Sequence, residues 1–340
     1  MEIKKPEIGL NSSQQTLIKT VTLRGKKVDP FSGGIINTDA SCIVRPSGTP
    51  GIFFRVGNSV IPYDEKHLQA IDSSLGRMLR MADDSETLQI VLVEHLLSAI
   101  QLLGLTNIEI VIDESDFGPL TSSGVPIFGL KKKTYWIPVM GPGVSGFVGA
   151  LAGHSRPLSD VPEIIKIHTK AVYSIIDPNP KYKGIERMMS IEPADKLIIE
   201  ILSAQQPDIN NNPDALPITI EEGKNVSDFL RARPVMRLAN KFQESVLFIM
   251  NLRSFALTRE TYFRSKPSLS REQVVERMFP EFRDGQNEHL YHTAIADFPS
   301  ELGAFLRGRH LHARIQIKDG NHSFRVEALY QLLSSYIGEN

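Results

Sequence analysis

Hydrophobic positions along the chain alternate between short β-branched runs and a few longer apolar segments, which is an α/β signature. TLIKTVTL (16–23), SCIVRP (41–46) and GIFFRV (51–56) predict strands separated by Gly, Pro and Ser turns, and IEIVID (108–113) predicts a buried strand. Between the last two, Ile90 to Leu103 predicts a helix, apolar almost all round and closed by Gly104 as its C-terminal stop. A second α/β unit follows, with KLIIEIL (196–202) and SVLFIMNL (245–252) as strands and Asn225 to Leu238 as a helical segment. Toward the end, Glu288 to Phe298 predicts a helix and ARIQIK (313–318) a strand. Ser323 to Ile337 predicts an amphipathic helix with Val326, Leu329, Leu333 and Tyr336 on one face. The polar run PDINNNPDAL reads as a loop, and no repeat of solenoid length is present.

The stretch from Trp136 to Pro162 changes composition sharply, to Gly, Pro and small apolar residues with hardly any charge. It predicts an ordered glycine-rich connection on the surface, which divides the chain into residues 1–135, an insertion or linker at 136–163, and residues 164–340. A length of 340 residues with 41% hydrophobic content suits two domains. A net charge of -1 without a basic stripe argues against nucleic acid as a partner. Cys42 is the only cysteine, which excludes an intramolecular disulfide and a thiolate zinc site and suits a reducing compartment. The N-terminal residues lack the apolar stretch of a signal peptide, and the longest uncharged run, 134–155, is broken by Pro and Gly and reads as a connection rather than a bilayer span. The expectation is a soluble, cytoplasmic protein with no transmembrane segment.

Three segments carry candidate chemistry. The doublet Glu94-His95 lies in VLVEHLLSAIQLL, a helix that must be buried, so the pair needs a metal, a counter-charge or a hydrogen-bond network. NEHLYHTAIADFPSEL (287–302) carries His289, His292 and several carboxylates on an otherwise apolar helix. His289 and His292 lie three apart, and Glu288 and His292 four apart, so either pair could hold one ion. Asp297 comes five residues after His292, which a regular helix turns well away, and a π-bulge near Pro299 would bring the two onto one face. In KDGNHSFRVEALYQLL (318–333), Asp319, Gly320 and Asn321 predict a turn that delivers His322 to the start of the last helix. The positive end of a helix disfavours imidazolium, so something else should hold that histidine, and Asp319 and Glu301 are candidate carboxylates.

In this order, LVEHLLSAIQLLGLTNIEIVID, NEHLYHTAIADFPSEL and DGNHSFRVEALYQLL resemble three segments of the UDP-3-O-acyl-N-acetylglucosamine deacetylases, zinc amidohydrolases of lipid A biosynthesis. Weaker echoes are TLIKTVTLRGKKV, RPSGTPGIFFR, EPADKLIIEIL and FLRARPVMRL. The resemblance implies an α+β fold of two similar two-layer α/β sandwich domains, packed helix face to helix face with the active site between them. It implies Zn²⁺ as cofactor, held by His95, His292 and Asp297, with Glu94 as general base and His322 as the catalytic histidine. It implies a UDP-linked acylated amino sugar as substrate.

The family spaces its histidine and aspartate four apart, and position 296 here is alanine. One inserted residue leaves Asp297 as the ligand and Glu301 as the carboxylate that supports the catalytic histidine. Thr293 stands where the family has lysine, Pro234 where it has threonine after Arg-Ala-Arg, and GPLTSSGVP replaces an acidic motif. Arg231 and Arg233 read as structural. The altered substrate-side motifs leave open an amidohydrolase for another acylated amino sugar, and the altered spacing leaves open a non-catalytic relative that binds a nucleotide sugar or a protein partner.

Overall fold

A computed structural model describes residues 8–28, 35–73, 76–114, 133–138, 140, 144–177, 184, 186–202, 218–224, 293–318 and 320–337; within these, the side chains of 26–28, 35–38, 72–73, 76–77, 145, 202, 218 and 293–297 are not described. The first strands are β1 (Gln15–Leu17), β2 (Val21–Val28), β3 (Ile35–Pro46), β4 (Ile52–Val56) and β5 (Ser59–Pro62). Then come β6 (Leu68–Ser73), β7 (Gly76–Ala82), β8 (Leu88–Val91), helix α1 (Glu94–Leu102), β9 (Ile108–Ile112), β10 (Lys133–Trp136) and α2 (Val144–Ala152). The remainder is β11 (Ser155–Pro157), β12 (Ile164–Lys166), β13 (Ala171–Ile176), β14 (Glu186–Pro193), β15 (Ile198–Leu202), β16 (Ile218–Glu221), α3 (Thr293–Leu306), β17 (His310–Lys318) and α4 (His322–Ile337). The fold is mixed α/β with several sheets.

A five-stranded sheet has the order β2-β3-β9-β4-β5, a four-stranded sheet β10-β8-β7-β6, and a larger one β13-β14-β17-β15-β16 with β12 also paired to β17. β17 shows why these runs become strands: Leu311, Ala313, Ile315 and Ile317 are buried while the residues between them are only partly covered, the two-residue period of a half-buried strand. β8 is buried at every position, as suits a strand with neighbours on both sides. The helices pack in series, α2 on α1, α1 on α3 and α3 on α4; α4 also lies on β13 and β14 and on β6 and β7. Leu96, Leu97, Ile100 and Leu102 of α1 are buried, each contributing about 1.5–3 kcal/mol of apolar burial.

Several boundaries differ from the sequence expectation. TLIKTVTL is two strands with a break at 18–20. The helix expected from Ile90 starts at Glu94, because Ile90 and Val91 complete β8 in a parallel pair with β10. Gly104 does end it: at φ 61° it allows Gly104 N–H to bond Gln101 O and Leu105 N–H to bond Ile100 O, a Schellman motif. A Cβ at position 104 would lie 2.5 Å from the Ser13 carbonyl oxygen, so the glycine also admits the N-terminal segment. The helix expected to stop at Phe298 runs on to Leu306 through Pro299, which only removes the donor to Ile295 O near its start.

The glycine-rich stretch is more than a surface connection. It contains α2, whose Val144, Phe147, Val148 and Leu151 are buried, since Val-Ser-Gly-Phe-Val-Gly-Ala-Leu-Ala still repeats apolar residues at helical spacing. The strand expected at 245–252 and the helix expected at 225–238 lie outside the described residues, as do Arg231, Arg233 and Pro234.

Residues 8–17 tie the two ends of the chain together. Gln15 N–H donates to Gly104 O and Thr106 N–H returns a bond to Gln15 O, both at 2.8 Å. Asn11 Nδ2 donates to Leu311 O at 2.9 Å and to Glu222 Oε2 at 2.8 Å. Arg309 donates from Nε to Leu306 O and from Nη1 to Ile337 O, serving the open carbonyls at the ends of both α3 and α4.

Candidate active site

The strand-to-helix turn after β8 positions the first pair. Leu92 takes φ 61°, a left-handed conformation that costs a branched residue about 1–3 kcal/mol and persists only where its surroundings enforce it. Here the buried β8 and the buried α1 fix both sides of the turn. Val93 at the N-cap offers no side-chain acceptor, so Glu94 brings the carboxylate to the first turn, where the open N–H groups and the helix dipole favour a negative charge. Glu94 is 7% exposed, and its Oε2 accepts from Leu79 N–H of β7 at 3.3 Å. His95 is the next residue of the same turn and is partly exposed.

The second element is the start of α4. Asn321 caps it, accepting from Phe324 N–H through Oδ1 at 3.0 Å, while its carbonyl takes Arg325 N–H at 2.8 Å. Gly320 before it is in close quarters, since a Cβ there would lie 2.8 Å from Ile317 Cγ2. His322 therefore enters at the first position of the helix, as the turn predicted. Its Nδ1 meets Glu301 Oε1 of α3, in a buried ion-pair geometry. The carboxylate that the helix terminus could not supply comes from Glu301.

Arg325, one turn after His322, completes this cluster. Its Nε and Nη2 donate to the same Glu301 Oε1 at 2.9 and 2.7 Å, and Nη2 lies 2.9 Å from His322 Nδ1. Glu301 is fully buried, and its Oε2 has no hydrogen-bond partner. Tyr63, between β5 and β6, donates its hydroxyl to Ser300 O at the edge of the group. Burial, with the Glu301 charge nearby, holds the Tyr63 phenol well above its usual range, so it stays a neutral wall.

Of the residues singled out in the sequence, Glu94, His95 and His322 are described, and α3 packs against both α1 and α4, which carry them. Asp297 belongs to α3 one turn before Glu301, and its side chain is outside the described residues; His289, His292 and Asp319 are outside them altogether. The described part of α3, Thr293–Leu306, is α-helical throughout, including around Pro299 where a bulge was expected, and His292 lies outside the described residues. Among the described residues no three His, Cys, Asp or Glu side chains form a metal-holding group, and His95 is the single proposed ligand whose side chain is described.

Sequence reasoning missed Arg325 and Tyr63. Arg325 had a signal, a basic residue three after His322 on a face that the apolar period should have kept dry. The buried face is Phe324, Arg325, Ala328, Leu329, Leu332, Leu333 and Ile337, and Val326 and Tyr336, expected on the apolar face, are partly buried at its edge. Tyr63 had none, because its contact spans 237 residues. No family model matches the chain, and no curated protein matches it.

Proposed function

We propose that this chain is a zinc-dependent amidohydrolase that removes the N-acetyl group from a UDP-3-O-acyl-N-acetylglucosamine. The observation that supports it is the packing of α1 on α3 and α3 on α4, which gathers in one helix layer the three segments that resemble the deacetylases. Glu94 and the helix of His322 also border the same strand, since Glu94 accepts from Leu79 of β7 and α4 lies on β7.

In this reading His95, His292 and Asp297 hold the ion, which when bound supplies Lewis acidity to the carbonyl and to water. Glu94 is the base that takes the proton of the attacking water. Its place in a buried first turn, acceptor to one N–H, orients the carboxylate and shields it from bulk water. His322, backed by Glu301, carries the proton to the departing amine nitrogen.

Metal analysis of the purified protein beside a deacetylation assay on the UDP-acyl-sugar tests the reading. About one zinc per chain is expected. Glu94→Ala should keep the zinc and lose about 10²- to 10⁴-fold in turnover. His95→Ala should lose the metal. Equal loss of zinc from both variants would show that Glu94 is a ligand or a structural partner, and wild-type protein without zinc would favour a non-catalytic sugar or protein binder.

A further inference from the structure

We infer that Arg325 is a positioning residue that fixes the tautomer of His322, keeping the proton on Nδ1 and leaving Nε2 with a bare lone pair. The geometry poses a conflict at one atom. Glu301 Oε1 can only accept when ionised and calls for Nδ1–H, whereas Arg325 Nη2, 2.9 Å from the same nitrogen, can only donate and calls for a lone pair there.

Arg325 resolves the conflict through Glu301. It donates from both Nε and Nη2 to Oε1, so the carboxylate is ionised beside an obligate cation. A proton placed on Glu301 would sit best on Oε2, which has no partner to receive it. With Glu301 ionised, Nδ1 carries the hydrogen. The guanidinium already stands 2.9 Å from Nδ1 in a site where Arg325, Glu301 and His322 are all buried. Nε2 is left as an acceptor. Without the guanidinium, Glu301 either takes a proton and donates it to Nδ1 or pairs with an imidazolium, and both outcomes put a hydrogen on Nε2.

The consequence for chemistry rests on the deacetylase reading: His322 enters the reaction with Nε2 unprotonated, takes there the proton that Glu94 has removed from the attacking water, and passes it to the departing amine nitrogen. The structural claim is tested without turnover. Full-length protein labelled with ¹⁵N in histidine is recorded near neutral pH by long-range ¹⁵N–¹H correlation, with His322 assigned by His322→Gln. Wild type should show pyrrole-type Nδ1 and pyridine-type Nε2. Arg325→Met should move Nε2 upfield into the protonated region, and Arg325→Lys, which keeps the charge, should hold the wild-type pattern. Arg325→Gln, neutral but still a donor, gives the same reading as Arg325→Met if the latter does not fold. A protonated Nε2 in wild type, or an unchanged His322 pattern in a folded neutral variant, overturns the proposal. A failure of zinc binding or turnover leaves these spectra as they are and counts only against the deacetylase reading.

Discussion

Two histidines in this molecule each sit against a carboxylate, and their surroundings make them different devices. His322 meets Glu301 where both are buried and a guanidinium shares the same oxygen. His67 has Nδ1 2.6 Å from Asp64 Oδ1 and Nε2 3.1 Å from Asp84 Oδ1, but the Asp84 side chain is 96% exposed. Asp64 Oδ1 also accepts from Lys66 N–H and His67 N–H, which is the pattern of a side chain closing its own turn. Water can replace Asp84 at the His67 site. At the His322 site it cannot replace Glu301, which is fully buried. The same pair of groups is a turn staple in one place and a fixed proton arrangement in the other.

The largest expected effect breaks the buried site. Glu301→Ala removes the buried carboxylate that accepts from Arg325 Nε and Nη2 and should destabilise by about 3–5 kcal/mol, read from urea denaturation. Replacing the ion pair rather than halving it sharpens the point: Glu301→Leu together with Arg325→Met removes both of its partners and should recover most of that loss. A double variant no more stable than Glu301→Ala would show that lost packing, not uncompensated charge, sets the cost. His67→Ala should cost within about 1 kcal/mol and leave turnover alone, because one partner is solvated and the other keeps its backbone donors. A loss at His67 equal to that at Glu301 would erase the distinction.

The same contrast separates what was legible in the sequence from what was not. His322 at a helix start could be seen to need a carboxylate, and Glu301 could be named as one candidate, because helix phase and turn chemistry are local. Arg325 was hidden by a small phase error: the face drawn through Val326 and Tyr336 put position 325 at the rim. Tyr63 reaches Ser300 only through tertiary packing, and no local pattern encodes that. Glu94 of the α1 doublet was legible as buried, whereas His95 is partly exposed, and the placement of both in the first turn was not legible, since Ile90 and Val91 fit a helix as well as a strand until β10 pairs with them. The α2 helix was obscured by its glycines, which weaken helix propensity but not the apolar period that packs it.

A third histidine supplies the smallest and most specific test. His310, at the start of β17, is only about half buried, and its pKa is lowered, first by burial, with His312 adding to this and Glu222 and a Ser12 backbone contact opposing it. The sign follows from linkage. The folded protein resists protonation at His310 more than the unfolded chain does, so the unfolded chain binds more protons below its value of about 6.5, and stability falls with pH from there through the lowered folded value. Above about 6.5 the contribution is complete. Midpoints of urea denaturation at pH 7.5 and 5.5 should therefore drop further for wild type than for His310→Gln, by a small margin because solvent screens a half-exposed ring. His310 lies on a different element from His322, so its titration should leave the His322 nitrogen pattern untouched. Equal pH sensitivity in the two proteins would place the acid loss elsewhere, with Glu109 the first alternative, since its pKa is lowered by hydrogen bonds and charge from Arg45 and Arg55 against the opposing pull of burial, and its contribution is lost only as pH falls below about 4.3. The pH range in which stability is lost therefore tells the histidine from the carboxylate.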